Sequence, residues 1–161
     1  MKIIKELIPY LVIIFIVICI RTFFITPVMV QGESMVPTLA GNEIMLLKKY
    51  DTNYQRFDIV VVSKSVEGDN LIKRVIGLPG ETIKYRNEKL YINDLEIKDI
   101  YAYGKTGNIR EITLADDEYF LMGDNREISL DSRTFGVIKK AEIEGKTNFI
   151  IYPFNKIGKV K

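Results

Sequence analysis

The chain has 161 residues, a formal net charge of +2, one cysteine and no histidine. Its length supports one globular domain with room for a small appendage, and its ordinary glycine and proline content argues against disorder. The missing histidine removes the commonest general base and most zinc sites, and the lone Cys19 rules out a disulfide framework or thiolate metal centre, so acid–base chemistry falls to Lys, Asp, Glu or Tyr.

In chain order, the first feature is apolar. Leu7 to Ile20 carry no charge, Arg21 interrupts, and Thr22 to Ile25 continue mostly apolar until Pro27 ends the run. As a helix, this stretch would span roughly 28 Å, against about 30 Å for the hydrocarbon core of a bilayer. A helix so dense in Ile and Val on every face is expected to span a membrane rather than fill a soluble core. Its apolar part is too long for a cleaved secretory leader and no Ala-x-Ala-like pair follows, so an uncleaved anchor is expected. Lys2 and Lys5 precede it, whereas Thr22 to Leu47 contain no Lys or Arg. The positive-inside rule then puts the N-terminus in the cytoplasm and the rest of a single-pass chain outside the cell membrane. The expected division is an anchor over residues 1–26 and an extracytoplasmic domain over 27–161. That domain holds 20 basic and 20 acidic residues, so no nucleic-acid partner is expected.

Beyond the anchor the texture is β. A short apolar run at Glu43 to Leu47 is followed by Phe57 to Val62, apolar on both faces and hence central, and by Leu71 to Ile76. Leu78-Pro-Gly80 reads as a turn. Glu81 to Ile97 alternates and breaks at Asn87-Glu88 and Asn93-Asp94, the pattern of a hairpin or small meander in a subregion over residues 83–115. Tyr101 to Asn108 reads as a loop, Glu118 to Met122 as a strand and Thr147 to Tyr152 as the last strand. No soluble helix is expected beyond a turn near Lys139 to Glu144. The predicted fold class is mainly β: a transmembrane helix, then an open antiparallel barrel or sheet with a small β subregion.

Three segments carry candidate chemistry. Ser34 follows the anchor closely and is bracketed by Gly32 and Pro37, which favour a tight turn. A serine on such a turn can act as a nucleophile, its own N–H serving an oxyanion, or simply stabilise the turn. Lys73 lies between aliphatic residues on a predicted strand, where desolvation favours the neutral amine that a general base needs. The plainer alternative is a snorkelling strand lysine. Arg74 cannot serve, because guanidinium stays protonated. Gly123 to Phe135 then packs five charges and two serines into thirteen residues. Ser129, Asp131 and Arg133 alternate, so an extended run would face them one way, with Asp131 and Arg133 paired and Ser129 as a hydroxyl partner for an ammonium. A solvated loop is the alternative. Gly145-Lys-Thr147 lacks the glycine that a phosphate loop needs at 140, and no Ser-x-x-Lys motif occurs.

Together, and in this order, these segments resemble the type I signal peptidases, the membrane-bound serine proteases of family S26. The matching blocks are Ser34-Met-x-Pro-Thr-Leu39, Arg56-Phe-Asp-Ile-Val-Val61, Lys73-Arg-Val-Ile-Gly-Leu-Pro-Gly-Glu81 and Gly123-Asp-Asn-Arg-x-x-Ser-x-Asp-Ser-Arg133. With the anchor they cover nearly the whole chain. The familiar Arg-Gly-Asp of the family is Arg56-Phe-Asp58 here. The resemblance implies a β body, a Ser–Lys dyad, and removal of signal peptides from exported preproteins after an Ala-x-Ala-like segment, without metal or organic cofactor. It implies Ser34 as nucleophile, Lys73 as general base, Ser129 as the group orienting the lysine, Asp131 with Arg133 as a brace, and Asp124 as a partner for Arg74. Some members have a serine two residues before the nucleophile that helps the oxyanion hole. Gly32 stands there, as is common in short single-anchor bacterial forms, which leaves the second donor open.

An extended substrate is expected to add as a strand near Gln31, Gly32, Glu33 and Ser34, and Met35, Val36 and Leu39 are expected to dip into the membrane interface. The implied partners are preprotein signal peptides, the lipid bilayer and the secretion translocon. Two other classes stand beside this reading. One is a non-catalytic member of the same fold that assembles surface structures such as pili, against which the retained Ser34 and Lys73 argue. The other is a self-cleaving repressor-type Ser–Lys protease, whose DNA-binding module the anchor would displace.

Overall fold

The computed structural model describes residues 2–63 and 70–160. Helix α1 spans Lys2–Phe23, and strand β1 (Ile25–Met29) follows at once. From Glu6 to Phe23 the side chains of α1 are exposed, with only Cys19 half-covered. At 22 residues the helix is about 33 Å long. An apolar rod of bilayer length thus stands clear of the body, a surface that suits lipid far better than water. The helix stops short of Pro27, which instead lies inside β1. An edge strand is the one part of a sheet that accepts a residue without an N–H, and β1 is an edge.

The body continues with β2 (Ile44–Lys48), β3 (Ile59–Val62), β4 (Leu71–Gly77), β5 (Thr82–Arg86), β6 (Lys89–Ile92), β7 (Leu95–Ile97), β8 (Ile109–Thr113) and β9 (Glu118–Met122). A short helix α2 (Ser132–Phe135) precedes β10 (Ile138–Lys139), β11 (Ile143–Tyr152) and β12 (Gly158–Lys159). Among the described residues, eight strands make one antiparallel, curled sheet in the order β1-β2-β11-β3-β4-β9-β10, with β12 paired to β11. The fold is therefore mainly β, an open antiparallel sheet behind an N-terminal apolar helix, as the sequence pattern leads one to expect. The remaining four strands form a second sheet in the order β7-β6-β5-β8. Its two tight connections, Asn87-Glu88 and Asn93-Asp94, have positive φ at every residue. That is the turn whose twist matches a hairpin, and Asn and Asp tolerate it best.

Several boundaries differ from the sequence reading. β3 starts at Ile59, because Phe57 takes φ +71° and its carbonyl accepts a hydrogen bond from Arg74 Nη1 at 2.7 Å. β11 starts at Ile143, four residues before the expected Thr147, and β12 follows it, so it is not the last strand. The segment 132–135 is helical, where an extended run was expected.

The core in front of the sheet gathers Val30, Met35 and Leu39 with Met45, Leu47, Ile59, Val61, Ile72 and Ile150. Met35 and Leu39 are each 1% exposed. This corrects the expectation that they reach the membrane: their methyl and thioether groups are consumed in fixing the turn that carries Ser34.

Candidate active site

Ser34 sits between β1 and β2, on a turn held from two sides. Below it, Met35 anchors in the core. Beside it, the Ser34 carbonyl accepts the N–H of Asn125 at 3.0 Å. Gly123 makes that approach possible, since a Cβ there would stand 2.5 Å from the Ser34 oxygen and 2.6 Å from Ser129 Cβ. Gly32 takes φ +72°, a conformation that favours glycine. Among the described residues no hydrogen bond engages the Ser34 N–H.

Lys73 lies on β4 opposite Val60 and is 3% exposed. Its Nζ makes a 2.7 Å hydrogen bond to Ser34 Oγ, across 39 positions of sequence. Burial pushes its pKa down from 10.5 to about 8, against the upward pull of Asp131 and Asp124, while Arg133 lowers it further. A hydroxyl and an amine in direct contact, with the amine partly stripped of water, are equipped to exchange a proton near neutral pH.

The neighbouring charges are paired to one another. Arg74 forms a bidentate bond with Asp124 at 2.7 and 2.6 Å, the two being 3% and 0% exposed. The same guanidinium stacks on Tyr101. Asp131 binds Arg133 through both carboxylate oxygens and accepts the Gly123 N–H at 3.0 Å. Asp131 also caps α2 by accepting the Arg133 N–H. Capping, rather than alternation along a strand, is what brings Asp131 and Arg133 together. Ser129 Oγ is buried beside Gly123 and, among the described residues, lacks a hydrogen-bond partner.

One residue of this loop received no role in the sequence reading. Arg126 is 1% exposed and donates to Gly123 O, to the Tyr85 hydroxyl, to Thr106 Oγ1 and to Asp99, with which it forms a buried ion pair. It ties the second sheet to the loop that holds Ser34. Its place in the Gly123–Arg126 block was the available signal. Its partners Tyr85 and Asp99 had none.

A groove of about 350 Å³ runs beside this cluster, walled by Thr26 to Met29 and Gln31 on one side and by Asn70 and Ile72 on the other, with Val61 and Glu144 between. Gln31, Gly32 and Glu33 are exposed at its Ser34 end. Among the described residues, both flanking backbones have free edges. β1 ends the sheet, and β9 pairs with β4 only from Arg74 onward, which leaves Leu71 to Lys73 open on that side.

A family model described as signal peptidase, peptidase S26, matches residues 3–152. The chain belongs to the S26 signal peptidase family. A signal peptidase I P of Bacillus subtilis subsp. natto is 38% identical over 157 residues, covering 88% of this chain and 84% of the relative. A signal peptidase I of Streptococcus pneumoniae serotype 4 is 35% identical over 195 residues, covering 96% and 95%. A crystal structure of a signal peptidase I from Enterococcus faecalis V583 shares 37% identity at a TM-score of 0.50, covering 58% of this chain and 96% of that one. Membership makes this signal peptidase a serine endopeptidase of the signal-peptide-removing class.

Proposed function

We propose that the chain removes signal peptides as a membrane-anchored endopeptidase with Ser34 as nucleophile and neutral Lys73 as general base. The observation that carries this reading is the 2.7 Å contact between Ser34 Oγ and a buried Lys73 amine. Lys73 takes the hydroxyl proton as Ser34 Oγ attacks the scissile carbonyl. The ammonium so formed then protonates the leaving amine, an acyl-enzyme remains, and water releases it with Lys73 again as base. The Ser34 N–H serves the oxyanion, and Ser129 Oγ, without a partner among the described residues, accepts a hydrogen bond from the ammonium once Lys73 is charged. Asp131, Arg133, Asp124 and Arg74 brace these groups without touching the reacting atoms.

The preprotein lies extended in the groove, bonded to the free edges of β1 and of β4 at Leu71 to Lys73. Small residues suit the shallow space beside Ser34, in keeping with a cut after an Ala-x-Ala-like segment. The groove begins at Thr26, three residues past the end of α1, so the substrate's own membrane helix and the anchor emerge side by side. That arrangement suits work beside the secretion translocon, with the N-terminus cytoplasmic and the body outside.

The deciding experiment incubates the detergent-solubilised chain with a preprotein and measures product masses. Cleavage at one bond after a small residue, abolished in Ser34→Ala and in Lys73→Ala while both remain folded, is expected. Full activity in Lys73→Ala would end the dyad.

A further inference from the structure

The groove beside Ser34 is walled mainly by backbone and aliphatic side chains, and Glu144 is the only ionisable group among its described lining residues. Glu144 sits on β11, half-buried, between Ile143 and Gly145, which pair with Val62 and Val61. Those two valines pair in turn with Leu71 and Ile72. Glu144 therefore lies level with the free stretch of β4, two strands across the sheet from it, so that its backbone is about 12 Å from that of Lys73 at about 4.8 Å per strand and about 3.3 Å per residue. Among the described residues no hydrogen bond or ion pair engages its carboxylate. Among the described residues, the nearby cations are committed elsewhere: Lys48 to Asn148, and Lys146 to Asp51 and Asp58.

A half-buried carboxylate facing an occupied groove loses water when substrate enters. It must then be offset by a cation or a donor on that substrate, and an incoming acidic side chain is repelled. Building on the function proposed above, we infer that Glu144 is a specificity residue. It favours a lysine or arginine of the preprotein a few residues before the cut, at a position other than the two that take small residues, and disfavours aspartate or glutamate there. Side chains of an added strand alternate in direction, so only positions facing the sheet feel it.

The test uses the full chain in detergent and a preprotein series carrying Lys, Ala or Glu in turn at each position before the cut other than the two that take small residues. The readout is the ratio of kcat/KM for Lys over Glu at each position, which cancels any general loss of activity in a variant. In the wild type one position is expected to favour Lys by about tenfold, a half-buried charge contact lying between exposed and fully buried pairs. Glu144→Gln should bring that ratio close to one, and Glu144→Lys should invert it. A ratio that stays the same in wild type and Glu144→Gln at every position overturns the inference while leaving the dyad intact. Absence of any Ser34-dependent cleavage in the wild type would instead fell the function and this inference together.

Discussion

Lys73 is held between opposing influences: burial strips water from its amine, Asp131 and Asp124 pull its pKa upward, and Arg133 lowers it. With the balance near 8, kcat/KM should climb as pH rises through that value and fall about tenfold for each unit below it. A pH profile on a preprotein whose own groups do not titrate there measures this directly, and a flat profile between pH 6 and pH 9 would exclude Lys73 as base. The same displacement has a stability consequence. A lysine whose folded pKa lies below its unfolded one destabilises the protein at low pH, and this cost disappears as pH rises from about 8 to 10.5. Lys73→Met should therefore raise unfolding free energy at pH 7 by up to about 3 kcal/mol, with the gain shrinking towards pH 10.5. Urea unfolding of both proteins at several pH values would show it. Aliphatic neighbours in the sequence foretell a depressed lysine. Nothing local foretells that its partner is Ser34, because the contact depends on sheet curl and on a turn 39 residues away.

At the level of elements, the Gly123–Arg126 loop does more than its polar composition suggests. Its backbone meets the Ser34 carbonyl through Asn125, its Gly123 allows the close approach, and Arg126 fastens it to β5 and Asp99. Gly123→Ala would drive a methyl into Ser34 O and Ser129, moving Ser34. A displacement near 1 Å can cost about a hundredfold in rate, so kcat should drop by at least that much, and an active-site titration should show fewer reactive serines. Asp99→Asn keeps the shape but leaves Arg126 without its counter-charge in a buried position. Losing one partner of such a pair costs about 3 kcal/mol, so the melting temperature should fall clearly. If the second sheet positions the loop, kcat should fall more than KM changes, whereas a merely structural role would leave kcat per folded molecule intact. Part of this was legible. Alternation and the Asn-rich breaks gave the β5–β7 meander, and the motif order gave the residues around Ser34. β1 and β8 were missed for different reasons: β1 merges with the apolar anchor and contains Pro27, and β8 reads Ile-Arg-Glu-Ile-Thr, too polar to announce a strand. The capping role of Asp131 was hidden because a four-residue helix leaves no periodic trace.

For the whole molecule, the short junction between α1 and β1 decides how the body sits relative to the apolar helix. Phe24 packs at a tilt against Tyr50, the Lys49 N–H bonds the Phe24 carbonyl at 3.0 Å, and Thr26 Oγ1 donates to the Arg21 carbonyl at 2.7 Å. With only Phe24 separating helix and strand, the body cannot swing freely, and its groove opens close to the level where the helix ends. Under the anchoring proposed above, enzyme and preprotein share one surface, and tethering of this kind raises effective concentration without any new contact. Removing residues 1–23 should leave a folded body, because the described part of α1 buries nothing against the core. On a short soluble peptide this truncated chain should keep kcat/KM within a few-fold of the full chain. On a preprotein inserted in vesicles the loss should reach roughly a hundredfold or more. Equal losses on both substrates would mean that the helix supports the site itself, and no loss on the inserted preprotein would remove the anchor from the mechanism.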